Sequence, residues 1–300
     1  MKKFVTTALA SAMVLSMAAT SMAVVADIND NIHTANNSGL IGADSKATYS
    51  YGSTLYFPLV SDTNTSVSSY DDVKGTAIKQ TWEMNGSAIS KVEIVKKKAT
   101  DNNYYYFLSV ATKDNNSTKS TDVAGEIKLK KSGTNGFETG VNLGFTLAFP
   151  VAADANEILD KVQLHKFVGD EEDVLNFDGG YFTVNTVGQG DLLLSSNTKF
   201  NAEIASWNPN ANLDFITFNN ASFNKIGELT INAPAGSYLY ALNADKTFSK
   251  VNATYDEYEE AFKLKTRTLG SYVISDVEFK ISSGSGTGTG KPNPGTGANA

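Results

Sequence analysis

VNLGFTLAF, residues 141 to 149, alternates without a break. Val141, Leu143, Phe145, Leu147 and Phe149 fall on one side, and Asn142, Gly144, Thr146 and Ala148 on the other. Side chains of an extended chain point to opposite faces in turn, so a period of two describes a strand with one buried face. The pattern recurs upstream. Val123, Gly125, Ile127 and Leu129 alternate against Glu126, Lys128 and Lys130, and Tyr104, Tyr106, Leu108 and Val110 form a third such face. Asn85-Gly86 and Asn135-Gly136 supply pairs that tolerate positive φ and read as tight hairpin turns. Helical signals are few. The best is ANEILDKVQL, residues 155 to 164, which equally leads into a strand.

Extended along the chain, this reading gives an all-β protein of two tandem β-sandwich-like domains, with one elongated domain as the alternative. Residues 27–52 are a polar lead-in with room for one strand. Residues 53–150 form the first β-domain, with strands TLYFPLV, TAIKQTW, KVEIVKK, YYYFLSVAT, GEIKLKK and VNLGFTLAF. Residues 151–281 form the second. Its short strands include KFNAEIA (199–205), LDFITF, GELTIN, SYLYAL, AFKLKT and SYVISDVEFKIS. Turn signals every 8 to 12 residues or so favour sandwiches over a parallel sheet. From Ser282 the periodicity stops. Residues 282–300 are Gly, Ser, Thr and Pro-rich, the composition of a disordered linker. Fully extended, such a stretch reaches about 60 to 70 Å.

The opening MKKFVTTALASAMVLSMAATSMAVVA has two lysines, an apolar stretch and then small residues, the order of a secretory signal peptide spanning residues 1–26. Cleavage fits after Ala23 or after Ala26. Removing Lys2 and Lys3 with it takes the formal charge from −7 to −9. An acidic exported chain whose only arginine is Arg267 is poorly suited to nucleic acid, because phosphate binding needs clustered cations. The absence of cysteine excludes disulfides, thiolate chemistry and Cys-based zinc sites. Stability must come from buried apolar surface, which about 250 structured residues can supply.

Within the linker stands NPGTG: Asn293, Pro294, Gly295, Thr296 and Gly297. It resembles the Leu-Pro-x-Thr-Gly sorting motif of Gram-positive wall-anchored surface proteins in four of five positions, with Asn293 in place of Leu. The resemblance implies an extracellular, cell-wall location. It also implies sortase and peptidoglycan as partners, with cleavage between Thr296 and Gly297. In that family an apolar stretch and a basic end follow the motif, so a precursor truncated at its C-terminus is expected here. A plain flexible tail on a freely secreted protein is the alternative. Residues 237–276 also resemble the closing hairpins of such surface proteins, through SYLYAL and TLGSYVISD.

No catalytic, cofactor-binding or metal residues are assigned, and no cofactor is expected. His33 and His165 read as surface residues, the latter on the polar side of a strand. No G-x-S-x-G positions a nucleophile. The acidic runs Asp170–Asp173 and Asp256–Glu260 read as solvated hairpin tips. Trp82 is expected to pack inward and Tyr105 to face out, while Trp207 is the aromatic to check for exposure. The expected function is a non-enzymatic exported surface protein, structural, adhesive or binding, with an unidentified host or glycan ligand. The alternative is a secreted carbohydrate-binding or glycan-active protein.

Overall fold

A computed structural model of the chain describes residue 25 and residues 27–133, 136–167 and 172–279. Among these residues the protein is all-β, with only short helices at Tyr70–Val73, Gly86–Ala88 and Ala202–Ser206. It folds as two compact units built from interleaved segments. The first takes the described residues through Lys46, Thr54–Thr112 and Val123–Gly144. The second takes Ala47–Ser53, Lys113–Asp122 and the chain from Phe145 onward.

In the first unit, one sheet runs in the order Ile41–Ala43, His33–Ala35, Thr54–Val60, Tyr104–Thr112, Ile89–Lys98, with Asp27–Ile28 pairing the far end of Thr54–Val60. The polar lead-in therefore contributes several short strands where one was expected. Thr54–Val60 and Tyr104–Thr112 span the stretches read from the sequence. Leu55, Phe57 and Leu59 are buried, and each such side chain contributes about 2 kcal/mol. Tyr104–Thr112 lies between two strands and buries both faces. Tyr106, Leu108 and Val110 fill one side, while Phe107 packs with Ile41 and Tyr56 on the other. Tyr104, expected on the buried face, ends the strand and is exposed.

Phe137–Leu147, Thr121–Lys131 and Ala77–Met84 follow one another in the second sheet. Asn85-Gly86 does not close a hairpin, because Ala77–Met84 pairs Thr121–Lys131 while Ile89–Lys98 pairs Tyr104–Thr112. Asn85 does adopt the left-handed conformation, with φ 48°, but it opens a 3-10 turn that carries the chain from one sheet to the other. Trp82 sits at a bulge beside this corner. It is half-buried rather than packed fully inward, and its ring covers Gly86 and Gly125.

The second unit has two five-stranded sheets. One is ordered Glu172–Phe177, Gly180–Asn185, Ser222–Asn232, Ala261–Thr268, Thr254–Asp256. The other is Ser196–Asn197, Leu213–Phe218, Ser271–Ser275, Tyr238–Leu242, Phe248–Lys250. Phe182, Leu229, Ile231 and Leu264 of the first sheet share one core with Ile216, Phe218, Leu239 and Ile274 of the second. That shared core makes the unit sandwich-like. Val273, Phe215 and Tyr240 point the other way, into a smaller cluster under the helix Ala202–Ser206. This helix falls where KFNAEIA was read as a strand. Asn201 caps it by accepting from the Ile204 N–H at 3.1 Å. The stretch 155–164 forms no helix; it runs as turns and isolated bridges into the short strand Gln163–His165.

Candidate functional site

Three places in the second unit combine unusual geometry with chemistry. The first is the root of the C-terminal tail. Ser271–Ser275 is the central strand of its sheet, paired with Leu213–Phe218 on one side and Tyr238–Leu242 on the other. The chain then stays pinned. Asp276 accepts from the Asn212 N–H at 2.8 Å and from its side-chain amide at 2.5 Å, which holds the Asp276 carboxyl below the usual carboxylate range. Phe279 donates its N–H to the Tyr240 hydroxyl at 2.7 Å and stacks on the rings of Tyr240 and Phe248. Burial raises the Tyr240 phenol pKa, and the Phe279 N–H opposes that shift.

The second place is an open cleft of about 580 Å³. Ile158 and Phe177 are its buried apolar residues, and polar groups surround them: Glu157, Asp160, Asn176, Asp178, Asn197 and Lys199. Backbone bridges build it, since Ile158 N–H donates to Asn176 O at 2.8 Å and Ser196 N–H to Leu159 O at 2.8 Å. Asp178 accepts from the Thr198 hydroxyl at 2.8 Å. Phe200, next after the lining residue Lys199, is 67% exposed and meets Phe215 edge-on. Such a surface offers hydrogen bonds to a polyol or amide, with an aromatic ring nearby.

The third is His165. Read as a surface residue, it is instead wholly buried. Its Nδ1 lies 3.0 Å from the Ala155 carbonyl and therefore carries the proton, while Nε2 has no partner among the described residues. An unpaired acceptor in an apolar setting is costly, and a charged imidazolium there would cost more. Burial holds the His165 pKa below its ordinary value, against smaller opposing effects from Ala155 and Asp154. His33, in the first unit, is half-exposed, with Nδ1 2.9 Å from Asn31 O.

Other sequence candidates have structural occupations. Trp207 is half-buried and closes the helix Ala202–Ser206 against the cluster of Ile204 and Phe215. Tyr105 is half-buried and donates to Asp101 at 2.7 Å. Asp256–Glu260 does form a hairpin tip, where Lys263 bridges Asp256 at 2.9 Å and Glu259 at 2.6 Å, while Tyr258 is 97% exposed. Among the described residues no three His, Asp or Glu side chains converge as a metal site, and no helix is long and apolar enough to cross a membrane. The cleavage candidates Ala23 and Ala26 and the motif Asn293, Pro294, Gly295, Thr296 and Gly297 lie outside the described residues. No protein-family model and no curated protein matches the chain.

Proposed function

We propose that the protein is exported and displayed on the cell wall as a non-enzymatic β-domain surface protein, held through its C-terminal tail. The observation that carries this reading is the way the fold meets the tail. Load on a tether passes first to Phe279, then to Asp276, and then to a strand hydrogen-bonded along both edges. A strand clamped on two sides must break two ladders to leave, whereas an edge strand breaks one. The signal-type N-terminus and the sorting-like motif support the same reading. Protease shaving of intact producing cells tests it: display requires release of fragments from residues 27–279 without lysis. Fragments found only after lysis would contradict it.

A second reading rests on the polar cleft. Its amides, carboxylates and neighbouring exposed Phe200 suit a glycan, so a carbohydrate-binding role is compatible with either a displayed or a secreted protein. Calorimetric titration with soluble peptidoglycan and plant-glycan oligosaccharides tests this role. Loss of binding in Asp178→Ala and Asn176→Ala is the supporting result, and no heat from any oligosaccharide the contradicting one.

A further inference from the structure

The first unit leaves an edge of each of its two sheets open on one cleft. Ile89–Lys98 ends one sheet, pairing only with Tyr104–Thr112, and Ala77–Met84 ends the other, pairing only with Thr121–Lys131, among the described residues. Between them lies a cleft of about 280 Å³. Ile78 faces it from one edge, and Val92 and Ile94 from the other. Tyr106 is buried behind them, and Tyr70 is 60% exposed. Ile78, Val92 and Ile94 are each only half-buried, so apolar surface remains at the gap.

Charge is distributed unevenly around this gap. The edge strand Ile89–Lys98 carries Lys91, Lys96, Lys97 and Lys98 against one acid, Glu93. By the strand's period of two, Val92, Ile94, Lys96 and Lys98 share a face, and Lys96 Nζ lies 5.5 Å from the centre of the Tyr106 ring directly opposite. Lys74 stands over Tyr70 at 5.9 Å. An unpaired strand edge is a template for another strand. A lysine row works against pairing of this edge with its own copy, because like charges would face each other. The same row attracts carboxylates.

We propose that this open edge binds an extended peptide whose every second residue, on the face toward the cleft, is apolar along one half and acidic along the other. The peptide adds as a strand along Ile89–Lys98, and its side chains on the cleft-facing side are apolar opposite Val92 and Ile94 and acidic opposite Lys96 and Lys98. Backbone pairing supplies affinity, and the lysines select the sign of the partner's charge.

The test uses the full chain and two fluorescein-labelled ten-residue peptides, the acidic one Thr-Val-Thr-Val-Thr-Asp-Thr-Asp-Thr-Thr and the other with Lys in place of each Asp. Anisotropy titration is expected to show the acidic peptide binding at least about tenfold more tightly, a difference of about 1.4 kcal/mol. Lys96→Glu combined with Lys98→Glu, both at solvent-accessible positions, should reverse that preference. Hydrogen exchange should slow at amides of Ile89–Lys98 when the acidic peptide is added. Equal affinities, no binding of either peptide, or protection confined to another part of the chain would each overturn the proposal. So would concentration-dependent dimers that protect this edge and resist displacement by the acidic peptide, since the occupant would then be a second copy.

Discussion

The ring of Phe279 lies 5.0 Å from that of Phe248 and is inclined to it by only 11°. Phe279 follows the last β-strand, and Phe248 belongs to the edge strand of the same sheet, so the contact folds the departing chain back over the sheet face. Tyr240 completes the stack and accepts the Phe279 N–H. Phe279→Ala should therefore destabilise the second unit by about 1 to 2 kcal/mol, from a half-buried aromatic and its stacking. Urea denaturation measures this, and Phe279→Tyr, which keeps the ring and the backbone N–H, should retain most of the stability.

His165 predicts a specific pH response. In the unfolded chain its imidazole takes up a proton near pH 6.5. In the folded chain burial holds the pKa lower, so the folded state binds fewer protons between the two values. Stability is thus full above about pH 6.5 and is lost as pH falls toward the folded pKa, by at most about 1.4 kcal/mol per pH unit. Denaturation midpoints between pH 7 and 5 should decline in the native chain and flatten in His165→Gln, which keeps a donor for Ala155 O.

Gly125 sits beneath the Trp82 ring. A Cβ there would lie 2.6 Å from Thr81 O and 2.7 Å from Trp82 Cε3, distances that real contacts do not reach. Gly125→Ala should cost about 1 to 3 kcal/mol through displacement of the strand or the ring. Tryptophan emission should shift to the red as Trp82 is lifted from its bed, and an unchanged spectrum with unchanged stability would contradict this packing.

Val25 bears on signal cleavage. It is wholly buried in the folded chain, and Asp27 and Ile28 pair with Val60 and Leu59. Cleavage after Ala23 retains Val25, whereas cleavage after Ala26 discards a side chain worth about 1.5 kcal/mol or more. N-terminal sequencing of protein recovered from outside the producing cells should begin at Val24. A start at Asp27 would contradict this choice.

Local pattern carried the strands well where burial is regular. Thr54–Val60, Tyr104–Thr112 and Leu213–Phe218 follow from β-branched, aromatic and alternating residues alone. It did not carry pairing. Asn85 takes the left-handed conformation that its residue type suggests, yet the strands on either side join different sheets, which depends on contacts remote in sequence. Nor did it carry His165. Its neighbours Gln163 and Lys166 are polar, and its burial comes from the Ala155 turn and the pairing of Gln163–His165 with Leu192–Leu194. The helix at Ala202–Ser206 had a visible signal in Asn201, a favourable capping residue, which the apparent alternation of KFNAEIA obscured. Both clefts combine segments distant in sequence, so neither has a linear signature.

Wall display is tested most directly by mass spectrometry of muramidase-released material from producing cells. Covalent attachment predicts a C-terminal peptide ending at Thr296 and carrying a peptidoglycan fragment. Recovery of the protein from the medium, with the chain intact through Gly297 and no such adduct in the wall fraction, would contradict it.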